Sequence, residues 1–122
     1  MPMFTVRQIT PVIRVANLDA YVEWWVRHLG FAVASRDEWA EGGQPVAVLM
    51  RDGLEVVVEE HARPTQMSLL LEVTDLVSVE RAFGDLPRAT SWIRSAHGAT
   101  EIGLHDPEGN LIVFAQAAES TA

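Results

Sequence analysis

The chain has 122 residues, enough for one domain with a sizeable core. Its 48% hydrophobic and 21% charged content is that of an ordinary globular protein. Seventeen acidic against nine basic residues give a net charge of −8, which repels phosphate backbones and excludes nucleic acid from the expected partners. Cysteine is absent, which excludes disulfides, thiolate metal sites and cysteine nucleophiles.

The expected setting is the cytoplasm. No apolar run reaches membrane-spanning length, so no membrane association is expected. The opening residues lack the basic-then-apolar pattern of a secretory leader.

In chain order, Ile13-Arg14-Val15-Ala16-Asn17-Leu18 reads as a strand running into a helix, with Asn17 able to cap it. Leu18, Tyr21, Val22, Trp25 and Leu29 then recur at helical spacing, and Gly30 is the expected left-handed stop. Strand signals follow at 31–35, Pro45–Arg51 and Leu54–Glu60. A loop is expected at 37–44, and Asp52-Gly53 forms a two-residue hairpin turn. A linker at 61–66 leads into a faint repeat: Leu71-Glu72-Val73-Thr74-Asp75-Leu76 matches the opening stretch at an offset of 58 residues, Ile13 to Leu71.

Thr74 or Asp75 caps the second helix, whose stripe is Leu76, Val79, Phe83 and Leu86, ended by Pro87. Strand signals return at 89–94, Thr100–His105 and 110–116, and residues 119–122 are expected to fray. Each half therefore reads β-α-β-β-β. The expectation is a single α+β domain over 1–122, with modules at about 6–61 and 66–116.

Between the last two strands lies His105-Asp106-Pro107-Glu108-Gly109-Asn110. Proline fixes φ, glycine tolerates positive φ, and Asp106 and Asn110 can bond their own backbone, so this is a tight reversal feeding a buried strand. Taken with the opening strand and a helix ending Trp24-Trp25-Val26-Arg27-His28-Leu29-Gly30-Phe31, the chain resembles the vicinal oxygen chelate superfamily, which includes glyoxalases, extradiol dioxygenases and bleomycin-resistance proteins. The resemblance runs from about Val6 to Gln116. It implies paired βαβββ modules whose curved, mixed sheet encloses a cavity.

The resemblance also assigns metal positions, since catalytic members hold a divalent ion with His, Glu or Gln from the first and last strand of each module. Carried over by register, these fall on Thr10 and Ser68, again 58 apart, on Glu59 with Val57 and Glu60 as neighbouring alternatives, and on Val113. Hydroxyls and an isopropyl group do not hold such a metal, and one carboxylate is not a site. No metal and no cofactor are therefore expected. Among the histidines, His28 fits a helix C-terminus, and His61 and His97 fall in loops. His105 shares strand parity with Glu101, which leaves a Glu59–Glu101–His105 cluster as the alternative ligand set.

Nucleophilic and phosphate-binding motifs are missing: no Gly-x-Ser-x-Gly elbow is present, and Gly42-Gly43 is followed by no lysine. Glu59 and Glu60 are adjacent on a strand and point to opposite faces, so they do not pair as acid and base. Arg14 shares parity with Thr10 and Val12. It either pairs with Glu59 or Glu72, or clamps an anionic group of a ligand. Trp24 and Trp25 are expected in the core. Trp39 reads as a stacking wall or a dimer contact, and Trp92 as a stacking wall or a core residue.

The expectation is a metal-free small-molecule-binding protein that resembles the bleomycin-resistance branch, a homodimer that sequesters a cationic, planar antibiotic without chemistry. Its candidate ligand-binding residues are Thr10, Arg14, Trp39, Glu59, Ser68, Trp92 and Val113. The alternatives are a divalent-metal-dependent lyase, isomerase or dioxygenase with a shifted ligand set, and a regulatory module whose cavity is filled by its own side chains.

Overall fold

The computed structural model describes residues 3–38, 43–83, 93–94 and 100–116. The chain divides into two compact units, 1–65 and 66–122, split within the linker expected from the repeat. The first unit runs β1 (Val12–Val15), α1 (Leu18–Leu29), β2 (Ala32–Glu38), β3 (Pro45–Arg51) and β4 (Leu54–Glu60). The second runs β5 (Ser68–Glu72), α2 (Leu76–Ala82), β6 (Ile93–Arg94), β7 (Thr100–His105) and β8 (Leu111–Gln116). Both units are thus βαβββ, and the molecule is α+β.

The sheets repeat as well. Their strand orders are β1-β4-β3-β2 and β5-β8-β7-β6, with the first and last strand of each unit parallel and the remaining pairs antiparallel. A parallel pair needs a crossover, and α1 and α2 lie within those crossovers.

In the first unit the helical stripe is the buried face: Leu18, Tyr21, Val22, Trp25 and Leu29 are all buried. The alternate strand residues Ile13, Val15, Ala47, Leu49, Val56 and Val58 are buried as well, and α1 lies against β3 and β4. The Trp25 ring meets Phe31 edge-on at 4.8 Å, and its indole N–H finds no acceptor among the described residues. Trp24 is only half-buried, against His28, so of the tryptophan pair Trp25 alone is core. Asn17 caps α1 by accepting from the Ala20 N–H at 3.1 Å, and Gly30 ends it in the left-handed region at φ 68°. Asp52 and Gly53 both have positive φ, as a tight two-residue hairpin turn requires.

Residues 37 and 38, expected in a loop, belong to β2, which continues through Glu38. Among the described residues, the core of the second unit is Leu76, Phe83, Ile102, Leu104, Ile112, Phe114 and Ala115, with Phe83 and Phe114 rings 5.4 Å apart.

Asp75, rather than Thr74, caps α2, accepting from the Val77 N–H at 3.0 Å while the Ser78 hydroxyl donates to its other oxygen at 2.7 Å. The Ser78 hydroxyl above all, aided by the backbone N–H groups of Val77 and Ser78 and the charge of Arg81, holds the Asp75 carboxyl below its ordinary 3.8 against desolvation. A carboxyl whose folded pKa is depressed stabilises the fold above its unfolded pKa, and that contribution disappears as pH falls through the folded value. Thermal melts between about pH 2 and pH 6 should therefore show a shallower acid dependence for Asp75→Asn than for the parent. Parallel curves would show that the cap carries no such linkage.

Candidate functional site

Strand alternation gives each sheet one face that carries the helix and one that does not. The helix-free face of the first sheet is built from three rows of laterally paired residues. The middle row is Val12, Val57, Val48 and Ser35; one flanking row is Arg14, Glu59, Val46 and Asp37. On the other flank Glu55 pairs with Met50, and Thr10 falls beside Glu55 two residues before Val12. Gln8 joins these last two, its Nε2 donating to Thr10 Oγ1 at 3.0 Å and to Glu55 Oε2 at 3.3 Å.

Arg14 Nε donates to Glu59 Oε1 at 2.7 Å, which selects Glu59 over Glu72 as its partner. The two members of the pair differ in burial. The Arg14 side chain is 49% exposed and the Glu59 side chain 11%, so the carboxylate is the buried member. Glu60 points the opposite way and accepts from the Leu18 N–H at 3.1 Å, completing the N-terminus of α1. Gln116 does the same for Leu76 at 2.8 Å in the second unit.

On the helix-free face of the second sheet, Ser68 pairs with Leu111, Leu70 with Val113, and Glu72 with Ala115; Gly103, Glu101 and His105 lie across β7 from them. Ser68 and His105 are exposed, and Glu101 and Val113 are half-buried. Trp39, Trp92 and His97 lie outside the described residues.

The register corrects one assignment. Val12 and Leu70 are equivalent by the 58-residue offset, and they pair with Val57 and Val113. Val57 is therefore the counterpart of Val113, and Glu59 is the counterpart of Ala115. The correction arises because the last strands repeat at an offset of 56 residues, Val57 to Val113, so the offset at the start of the modules does not carry to their ends. The four metal positions implied by the resemblance now read Thr10, Val57, Ser68 and Val113: two hydroxyls and two isopropyl groups. Thr10 Oγ1 already accepts from Gln8. This donor set does not fit a divalent metal. Among the described residues, no three His, Asp or Glu side chains lie close enough to hold one.

Two βαβββ units with parallel first and last strands recur in solved structures, and comparison with these decides the fold. The bleomycin resistance determinant encoded on the transposon Tn5 superposes with a TM-score of 0.75 at 22% identity, covering 93% of this chain and 100% of its own. A bleomycin-binding protein complexed with bleomycin gives 0.72 at 21%, with coverage of 93% and 100%. The lactoylglutathione lyase from Agrobacterium tumefaciens gives 0.75 at 13%, with coverage of 92% and 94%.

This is the vicinal oxygen chelate fold.

No protein-family profile and no curated protein sequence matches the chain. The vicinal oxygen chelate fold is shared by binders and a lyase, so the site residues must decide between them. Here the helix-free faces offer apolar centres and charged flanks. Glu55 and Gln8 are the residues that sequence reasoning passed over. Their signal was present, since Glu55 shares strand parity with Val57 and Glu59. No helix among the described residues is long and apolar enough to cross a membrane.

Proposed function

We propose that this chain is a small-molecule-binding protein that holds its ligand without a metal, in the manner of an antibiotic-sequestering protein. The observation that carries the reading is the replacement of metal donors by Thr10, Val57, Ser68 and Val113 in a fold shared with a bleomycin-binding protein. The same reading places the chain in the cytoplasm and makes it a homodimer, since Met3, Phe4, Val6 and Ile9 are two-thirds or more exposed and a second copy would cover them. A monomeric mass by light scattering at micromolar concentration would remove the dimer from the proposal.

The net charge of −8 favours a cationic ligand, and a planar one suits Trp39 and Trp92 as stacking walls. The deciding experiment is calorimetric titration with metal-free bleomycin in the presence of a chelator. Saturable binding, with the ligand recovered unchanged, supports sequestration. Stoichiometric binding of a divalent ion by the protein alone, with no bleomycin present, would favour the lyase or isomerase reading and overturn this one.

A further inference from the structure

Two carboxylates lie on the helix-free face of the first sheet along β4, Glu55 and Glu59, separated by Val57. Four residues of strand place them roughly 13 Å apart. They differ in what they already hold. Glu59 is buried and its charge is met by the Arg14 guanidinium at 2.7 Å, so a ligand cation there would have to compete with a covalently tethered one. Glu55 is half-buried, and its bond is to the neutral, exposed Gln8 amide at 3.3 Å, which water can replace. Beside Glu55 runs the apolar row of Val12, Val57 and Val48, with Met50 directly across the strand pair. Val12 is 49% and Met50 39% exposed.

Resting on the reading above, the geometry points to Glu55 as the residue that selects a cationic ligand, seating its ammonium group beside the Glu55 carboxylate and its apolar body over Val12, Val57 and Val48. The occupant is therefore a small amphiphilic cation. A flat anion gains nothing at this end, because Arg14, the guanidinium of this face among the described residues, sits on the opposite flank, beside Glu59. Val57 provides apolar contact where a carboxylate would have drawn the cation to the middle of the strand. The Gln8 amide holds the carboxylate in place until the ligand arrives.

Benzyltrimethylammonium and benzenesulfonate are the probes, titrated into the protein while methyl resonances are followed by NMR. The cation should shift the Val12, Val48 and Val57 methyl signals saturably at millimolar concentration, and the sulfonate should not. Glu55→Gln keeps the shape of the side chain and should weaken the cation about three- to tenfold and flatten its salt dependence, with an unchanged melting temperature. Glu59→Gln removes an equal charge from the same strand and should weaken it less. Equal or greater weakening by Glu59→Gln, equal shifts with the sulfonate, or no methyl shifts with the cation would each overturn the assignment. Failure of bleomycin binding with these shifts intact would sink the antibiotic reading alone. Bleomycin binding that is indifferent to Glu55→Gln would sink this one alone.

Discussion

Asp106→Ala is expected to lower stability by about 3 kcal/mol and the melting temperature by roughly 10 °C. Asp106 is 6% exposed, and its carboxylate accepts three hydrogen bonds: from the Glu108 N–H and the Asn110 N–H at Oδ1, and from Asn110 Nδ2 at Oδ2, each at 2.9 Å. Asn110 is fully buried and passes the order on, its Oδ1 accepting from the Met67 N–H at 2.8 Å. The Met67 carbonyl in turn accepts from the Leu111 N–H at 3.0 Å, at the start of the parallel pair β5–β8. Removing the carboxylate leaves buried donors without acceptors and loosens the register of the whole second sheet. Pro107→Ala is the control, because Pro107 is exposed and shapes only the turn; it should move stability by less than about 1 kcal/mol. Equilibrium unfolding in urea measures both. Equal midpoints for the two variants would mean that the reversal is set by backbone conformation alone.

The parts of the fold that were legible in the sequence are those in which one face alone is buried. The stripe from Leu18 to Leu29 and the alternation of Ile13 and Val15 announce their elements because burial repeats at the period of the backbone. Strand β2 could not be read to its end. It is an edge strand of its sheet, and its residues 32–37 are exposed on both faces, so Asp37 and Glu38 look like loop. Charges of this kind also protect an open edge from pairing with another chain.

For the site, parity told which residues share a face but not which carboxylate is free to act. The offset of 58 residues holds through the first strand and helix of each module, which makes Thr10 and Ser68 equivalent positions. Two residues of difference accumulate before the last strands, and the pairing of Val12 with Val57 makes Val57, the alternative two residues before Glu59, the counterpart of Val113. Spacing offered both Glu59 and Glu72 as partners of Arg14, and side-chain geometry selects Glu59.

That pairing supports a second large effect, of unequal size in its two halves. Arg14→Met is expected to destabilise the protein by about 1–3 kcal/mol, because it removes the guanidinium from a carboxylate whose side chain is only 11% exposed. Glu59→Gln is expected to lower stability by less than about 1 kcal/mol, because the guanidinium it releases is 49% exposed and can be hydrated where it stands. A reading in which Arg14 is the buried charge predicts the opposite order. The double variant Arg14→Met with Glu59→Gln should recover part of the loss of Arg14→Met, since the neutral amide needs no cation beside it. Urea unfolding of the parent, both single variants and the double variant closes the cycle. Equal losses in the two single variants, or no recovery in the double, would mean that the pair is held by its surroundings rather than by its own charges.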